Sequence, residues 1–152
     1  VHGFIRAMTE RGIEIPPDAI VESDFSGAGG HRAAGQLFDT IKPSAIFAGN
    51  DMMGIGALRA AAERGISVPH DCSIIGFDDI ELGRFTYPAL STVGQSVRAL
   101  GDMAAQTLIE RIAGSSSGSV RAPGRRRVVS PRLIVRESTA TWAGAAQRDL
   151  AA

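Results

Sequence analysis

Cysteine is nearly absent from this sequence, and the single Cys72 excludes an internal disulfide and any cysteine-built metal site. It is expected to be a small buried apolar residue in a reducing compartment. Net charge is missing as well: 16 basic side chains balance 16 acidic ones, so nothing draws the whole chain toward nucleic acid or an anionic membrane. The 3 histidines, His2, His31 and His70, are scattered without a second histidine at a helical ligand spacing, which argues against a metal; no cofactor is implied either. No apolar run approaches the roughly 18 residues that cross a bilayer, and no basic-then-apolar leader opens the chain. These absences lead to the expectation of a soluble, cytoplasmic protein with no membrane partner. An initiator methionine is lacking too. Val1 opens a stretch already helical in pattern, as in a piece of something longer.

What is present suffices for one domain with a sizeable core, since 44% of the 152 residues are hydrophobic. VHGFIRAMTERGI sets Phe4, Ile5 and Met8 on one helical stripe. Gly12 suits the left-handed position past the helix end, and Pro16-Pro17 forbid continuation. Ala19–Ser23 is expected to be a strand, followed by a helix over about Gly30–Thr40 with Ala33, Ala34, Leu37 and Phe38 inward. Ala45–Gly49 is a short buried-strand candidate. A helix from about Met52 to Arg64 carries Ile55, Leu58 and Ala62 at spacings of three and four. The string E-R-G-I-x-(I/V)-P occurs at 10–16 and again at 63–69, one helix-stop device used twice rather than a repeat protein. Ser73–Phe77 has the β-branched content of a strand buried on both faces. Leu90–Val93 is extended, Ser96 is an N-cap, and the helix it opens runs to about Ala113 with Val97, Leu100, Ala104, Leu108 and Ile112 along one face. Gly114–Ser119 is a flexible connector. Arg125–Val135 is extended with Pro131 confining it to an edge or break, and Ala140–Ala152, with Trp142, has no clear structure.

Strands alternating with helices imply an α/β fold with a mostly parallel sheet flanked by helices. Three strands end in polar pairs, Asp24-Phe25, Asn50-Asp51 and Asp78-Asp79, along one edge of such a sheet, where α/β proteins bind ligands. A carboxylate, an amide and an aromatic ring facing one crevice fit a polyhydroxylated ligand. Plainer roles stand beside this one: Asn50 or Asp51 as the N-cap of the third helix, Asp78 or Asp79 as a turn former, Phe25 as core.

AGNDMMGIGAL (48–58), VPHDCSIIGFDD (68–79), PALSTVGQS (88–96) and PRLIVREST (131–139) resemble the LacI/GalR family of bacterial transcription regulators, in order and at family-like spacing from Val1 to about Ala140. The resemblance is to the effector-sensing domain, which is similar to periplasmic sugar-binding proteins: two α/β lobes joined by three crossovers, with ligand between them. It implies that 1–93 form the carboxyl-terminal lobe without its first strand, 94–124 a crossover helix and loop belonging with the first lobe, 125–140 the returning strand and 141–152 a tail. It further implies that Asn50 and Asp78 hydrogen-bond the hydroxyls of a small-molecule effector, a sugar or sugar derivative, that Phe25 stacks on it, and that Gln95 reaches into the cleft. Homodimerisation through Ile55 and the Phe85–Tyr87 loop is implied as well, although Ile55 also suits the core. The family's ligand-binding arginine would fall one place before Val1. The helix-turn-helix through which the family binds DNA, most of the first lobe and the second lobe's first strand are likewise outside this sequence, and the isolated chain is expected to be less stable than one extended upstream.

The leading expectation is therefore an effector-sensing domain of a transcription regulator. A transport-associated sugar-binding protein shares the fold and is the alternative. An α/β enzyme using Asp51, Asp78 or Asp79 as acid or base is a third reading, but no nucleophile pairs with a histidine, a P-loop lysine is missing, and Gly54-Ile55-Gly56 lies inside a helix. The basic cluster Arg121, Arg125, Arg126 and Arg127 is read as a solvated loop, without catalytic or DNA-reading character.

Overall fold

The computed structural model describes residues 1–115 and 126–141. Most of the expected 114–119 connector, Arg121, Arg125 and Trp142 with the tail lie outside the described residues. The chain runs through α1 (His2–Thr9), a 3-10 turn (Pro17–Ala19), α2 (Gly27–Thr40), β1 (Ala45–Phe47), α3 (Asp51–Glu63), β2 (Ser73–Asp78), a second 3-10 turn (Glu81–Arg84), β3 (Ser91–Gly94), α4 (Val97–Ser115) and β4 (Arg132–Ile134). The 4 strands form one sheet in the order β1-β2-β3-β4. The first three are parallel and β4 is antiparallel to β3. Pro131 immediately precedes this edge strand, where its missing N–H is harmless.

Both copies of the helix-stop string fold alike. Gly12 and Gly65 take φ of 69° and 67°, a region that a Cβ disfavours. This turns the chain so that Ile13 N–H reaches the Met8 carbonyl and Ile66 N–H the Ala61 carbonyl, each at 3.0 Å. Gly12 and Gly65 N–H bond to Thr9 and Ala62, completing a Schellman motif in both places.

The expected strand over Ala19–Ser23 does not form. Ile20 is extended, with φ −114° and ψ 108°, but no described strand lies alongside this segment. Extended backbone becomes a strand only when a neighbour accepts its hydrogen bonds. The neighbouring edge is equally open. Ser44 and Ala48 bond to β2, so Ala45 and Phe47, one residue out of phase, turn their N–H and C=O groups away from it.

Helix α2 starts at Gly27, ahead of the expected Gly30, because the Ser26 hydroxyl caps it by accepting from Gly29 N–H at 2.9 Å. Its glycines allow α3 to approach closely: a Cβ on Gly30 would lie 2.3 Å from the Met53 carbonyl oxygen. The core fills the space between this helix pair and the sheet, with Ala34 and Phe38 from α2, Leu58 from α3, and Ile46, Ile74 and Leu90 from the sheet side. Full burial of Ile74 or Leu90 is worth about 1.5–3 kcal/mol each. On the opposite face the Phe47 ring stacks on Phe4 of α1 at 6.1 Å.

Ser96 caps α4 as expected, its hydroxyl accepting from Ala99 N–H at 3.2 Å. The helix's apolar stripe, Val97, Leu100, Ala104, Leu108 and Ile112, is exposed.

Candidate functional site

Four hydrogen-bonded elements meet where β1 and β2 end. Asn50 leaves β1 in extended conformation and caps α3, its Oδ1 accepting from Met53 N–H at 2.8 Å. Its Nδ2 donates to the Phe25 carbonyl at 3.0 Å, so the cap also fixes the loop before α2. The second amide hydrogen of Asn50 has no acceptor among the described residues. Phe25 has φ 59° and its side chain lies in the open, 65% exposed, which overturns the core alternative for this ring. In the same loop Asp24 accepts from the Ser26 hydroxyl at 2.6 Å and the Ser26 N–H at 3.0 Å. The hydroxyl and then the N–H, against some desolvation and with help from Arg32, hold the Asp24 carboxyl below its ordinary range.

Asp51, the first residue of α3, is fully buried. Its Oδ1 accepts from the Thr92 hydroxyl at 2.6 Å and its Oδ2 from Ile80 N–H at 2.8 Å, while the helix N-terminus favours its charge. This carboxylate ties α3 to β3 and to the turn after β2. The room for it is made by Gly76 of β2, where a Cβ would sit 2.2 Å from Asp51 Oδ1.

Asp78 and Asp79 form that turn, with φ of 113° and 60°. Asp78 Oδ1 accepts from Gln95 Nε2–H at 2.8 Å; its Oδ2 has no partner among the described residues and remains an open acceptor. Asp79 is committed elsewhere, to Arg136 and, at 3.4 Å, to Arg84. Burial alone raises the Asp79 carboxyl, but Arg136 first and Arg84 second outweigh it, leaving it below its ordinary 3.8.

Two hydrogen-bonded pairs, Asn50 with Phe25 and Asp78 with Gln95, thus stand along the carboxyl ends of the parallel strands β1 to β3, and the Phe25 ring beside them is exposed. Asp51 and Asp79 have their oxygens occupied by neighbours within the chain. Ile55 does not join these pairs; it is partly buried and packs on the core. Phe85 and Tyr87 stand away from the core at 76% and 98% exposure.

Residues 1–139 match the periplasmic binding protein-like domain. The chain belongs to this family. As a periplasmic-binding-protein-like domain it is 41% identical over 139 residues to the HTH-type transcriptional repressor PurR of Escherichia fergusonii, a match covering 91% of this chain and 39% of that protein. The chain therefore spans about two fifths of the length of the curated relatives it matches. A solved LacI-family transcriptional regulator from Sanguibacter keddieii superposes with TM-score 0.81 at 36% identity, covering 90% of this chain and 51% of that one. The transcriptional regulator CelR in complex with cellobiose superposes with TM-score 0.82 at 31% identity, covering 90% and 40% respectively. The LacI-type character of the domain and its parallel-dominated α/β architecture are thus shared with known regulators.

Sequence reasoning misses or misassigns three contributors to the site. Ser26 carried a signal, a hydroxyl directly ahead of a glycine-rich helix start. Asp51 was weighed only as a cap or an acid–base group, whereas it is a buried tether. Arg136 lies within the PRLIVREST motif, yet nothing local to that motif points to a partner 57 positions earlier.

Proposed function

We propose that this domain is the effector-sensing lobe of a transcription regulator, and that its effector is a sugar or sugar derivative. The observation that carries the reading is the set of groups at the strand ends. Asp78 Oδ2 offers a charged acceptor for a hydroxyl, Asn50 Nδ2 a donor, and Phe25 a face for the apolar side of a sugar ring, with Gln95 bracing Asp78. The cellobiose complex of CelR, similar in fold and sequence, supports the same ligand class. In the intact regulator the effector shifts the balance between open and closed lobes by binding them unequally, and a helix-turn-helix outside this sequence transmits the shift to DNA. Residues 1–93 belong to the carboxyl-terminal lobe. The exposed apolar face of α4 belongs against the first lobe, and 126–140 return from it. A homodimer uses the exposed Phe85 and Tyr87 loop, Ile55 being core, and the protein works in the cytoplasm without catalysis.

A thermal-shift screen with sugars, sugar phosphates and purines, on a protein extended upstream, tests the reading. Asp78→Ala removes the open acceptor, and Asn50→Asp preserves the α3 cap while removing the amide donor. Both variants are expected to stay folded and to lose the shift. Retention of the wild-type shift by both overturns the assignment of the site.

A further inference from the structure

The turn at the end of β2 holds two successive non-glycine residues at positive φ, Asp78 and Asp79, an arrangement that persists only when its surroundings enforce it. The grips on it are identifiable. Asp51 Oδ2 takes Ile80 N–H, the Thr92 hydroxyl accepts weakly from Asp79 N–H at 3.4 Å, and Gln95 holds Asp78. Arg136, just past β4, holds Asp79 through Nη2 while Nη1 donates to the Leu90 carbonyl at 2.7 Å. The Arg136 and Asp79 side chains are only 14% and 15% exposed, so water screens this pair little. Arg84, the other cation on Asp79, is 58% exposed and farther away.

We propose that Arg136 is a positioning residue: by anchoring Asp79 against the Leu90 carbonyl it fixes the strained turn, and the turn in turn presents the Asp78 carboxylate to Gln95 and to the effector. A guanidinium is needed because two acceptors in different directions must be reached from one cation, which the single ammonium of lysine does poorly. The placement also makes the returning strand part of the ligand site without touching ligand. Its functional meaning rests on the assignment of Asp78 to the effector site; its geometry does not.

Nuclear magnetic resonance on the chain itself provides the test. Neither the Gln95 side-chain amide nor the Ile80 N–H touches Arg136, yet both report the turn. In Arg136→Met the Gln95 amide resonances are expected to move toward free-amide positions, and exchange of the Ile80 N–H to quicken by about tenfold or more relative to the Ala48 N–H, which bonds to Ile75 on the far side of the sheet from Arg136. Asp79→Asn is expected to reproduce the effect, and the double variant to add little to either single one. Arg136→Lys should restore part of the protection. Unmoved Gln95 and Ile80 signals overturn the proposal, and so does equal acceleration at Ala48 and Ile80, which reports general loss of stability. These signals need no effector. A sugar screen without a response therefore counts against the sensor reading alone, and still signals at Gln95 and Ile80 count against this one alone.

Discussion

Gly76→Ala sets a methyl group against the Asp51 carboxylate, and the outcome depends on how firmly that carboxylate is held. A Cβ at 76 lies 2.2 Å from Asp51 Oδ1 and 3.1 Å from both Asp51 Cα and Leu90 Cδ2. Asp51 has little freedom to move aside, since Thr92 and Ile80 grip one oxygen each. Overpacking of this kind costs about 1–3 kcal/mol. Asp51→Ala has its own penalty: it strips the acceptor from a buried N–H and a buried hydroxyl, at about 1–3 kcal/mol each. Either change consumes a large part of the roughly 5–15 kcal/mol typical of a folded domain. Together they are not independent, because the space vacated by the carboxylate receives the new methyl. The double variant should be less destabilised than the sum of the singles by about 1 kcal/mol or more, measured by urea unfolding of all four proteins. Asp51→Asn keeps the volume of the side chain, so its combination with Gly76→Ala should show no such relief. Simple additivity of Asp51→Ala and Gly76→Ala, within about 0.5 kcal/mol, would refute the account of Gly76 as the space that seats Asp51.

The Asp79 carboxyl is held below its ordinary 3.8, so its pairing contributes stability that is present above that value and lost as pH falls through the depressed folded value. The stability gap between wild type and Asp79→Asn should accordingly be flat from neutral pH down to about 5 and close below about 4, as read from urea midpoints. Gly65→Ala meets no side chain but must adopt φ 67°, so unfolding should cost about 1 kcal/mol less for this variant. Gly12→Ala carries the same strain at the end of α1, which has no buried residue, and should appear in circular dichroism as lost helicity more than as a lower unfolding midpoint. Cys72 is 1% exposed, and burial, aided by Asp71, pushes its thiol up to about 11. Ellman's reagent at pH 8 should therefore react slowly with the native chain and promptly in urea.

Features decided within a few residues were legible in advance. The two stop strings, the Ser96 cap and a strand over Ser73–Phe77 depend on local spacing and backbone preference, and each forms where its sequence points, although that strand is buried on one face only, at Ile74 and Gly76, and half-buried on the other. Asn50 forms the N-cap expected of it through its amide oxygen, and its NH2 group donates to the Phe25 carbonyl, a partner 25 positions away that no local spacing points to. What local pattern could not supply was anything decided by a distant neighbour. Ala19–Ser23 has strand-like side chains but no ladder to join. The start of α2 is obscured by the poor helix formers Gly27, Gly29 and Gly30, of which Gly27 and Gly30 let α3 come close. The division of labour between Asp78 and Asp79 depends on Gln95 and Arg136, 17 and 57 positions away. The two carboxylates are alike on paper and differ only by what reaches them.

The outer margin of β1 sets how the isolated polypeptide must be handled. Ala45 and Phe47 present an unclaimed row of amide and carbonyl groups beside an apolar, half-open phenylalanine, and such a row accepts any tail able to straighten out for three residues. Concentration then becomes a chemical variable in its own right: a neutral overall charge supplies no repulsion to keep two margins apart. Dilute storage, or a lysine at position 45, addresses the cause.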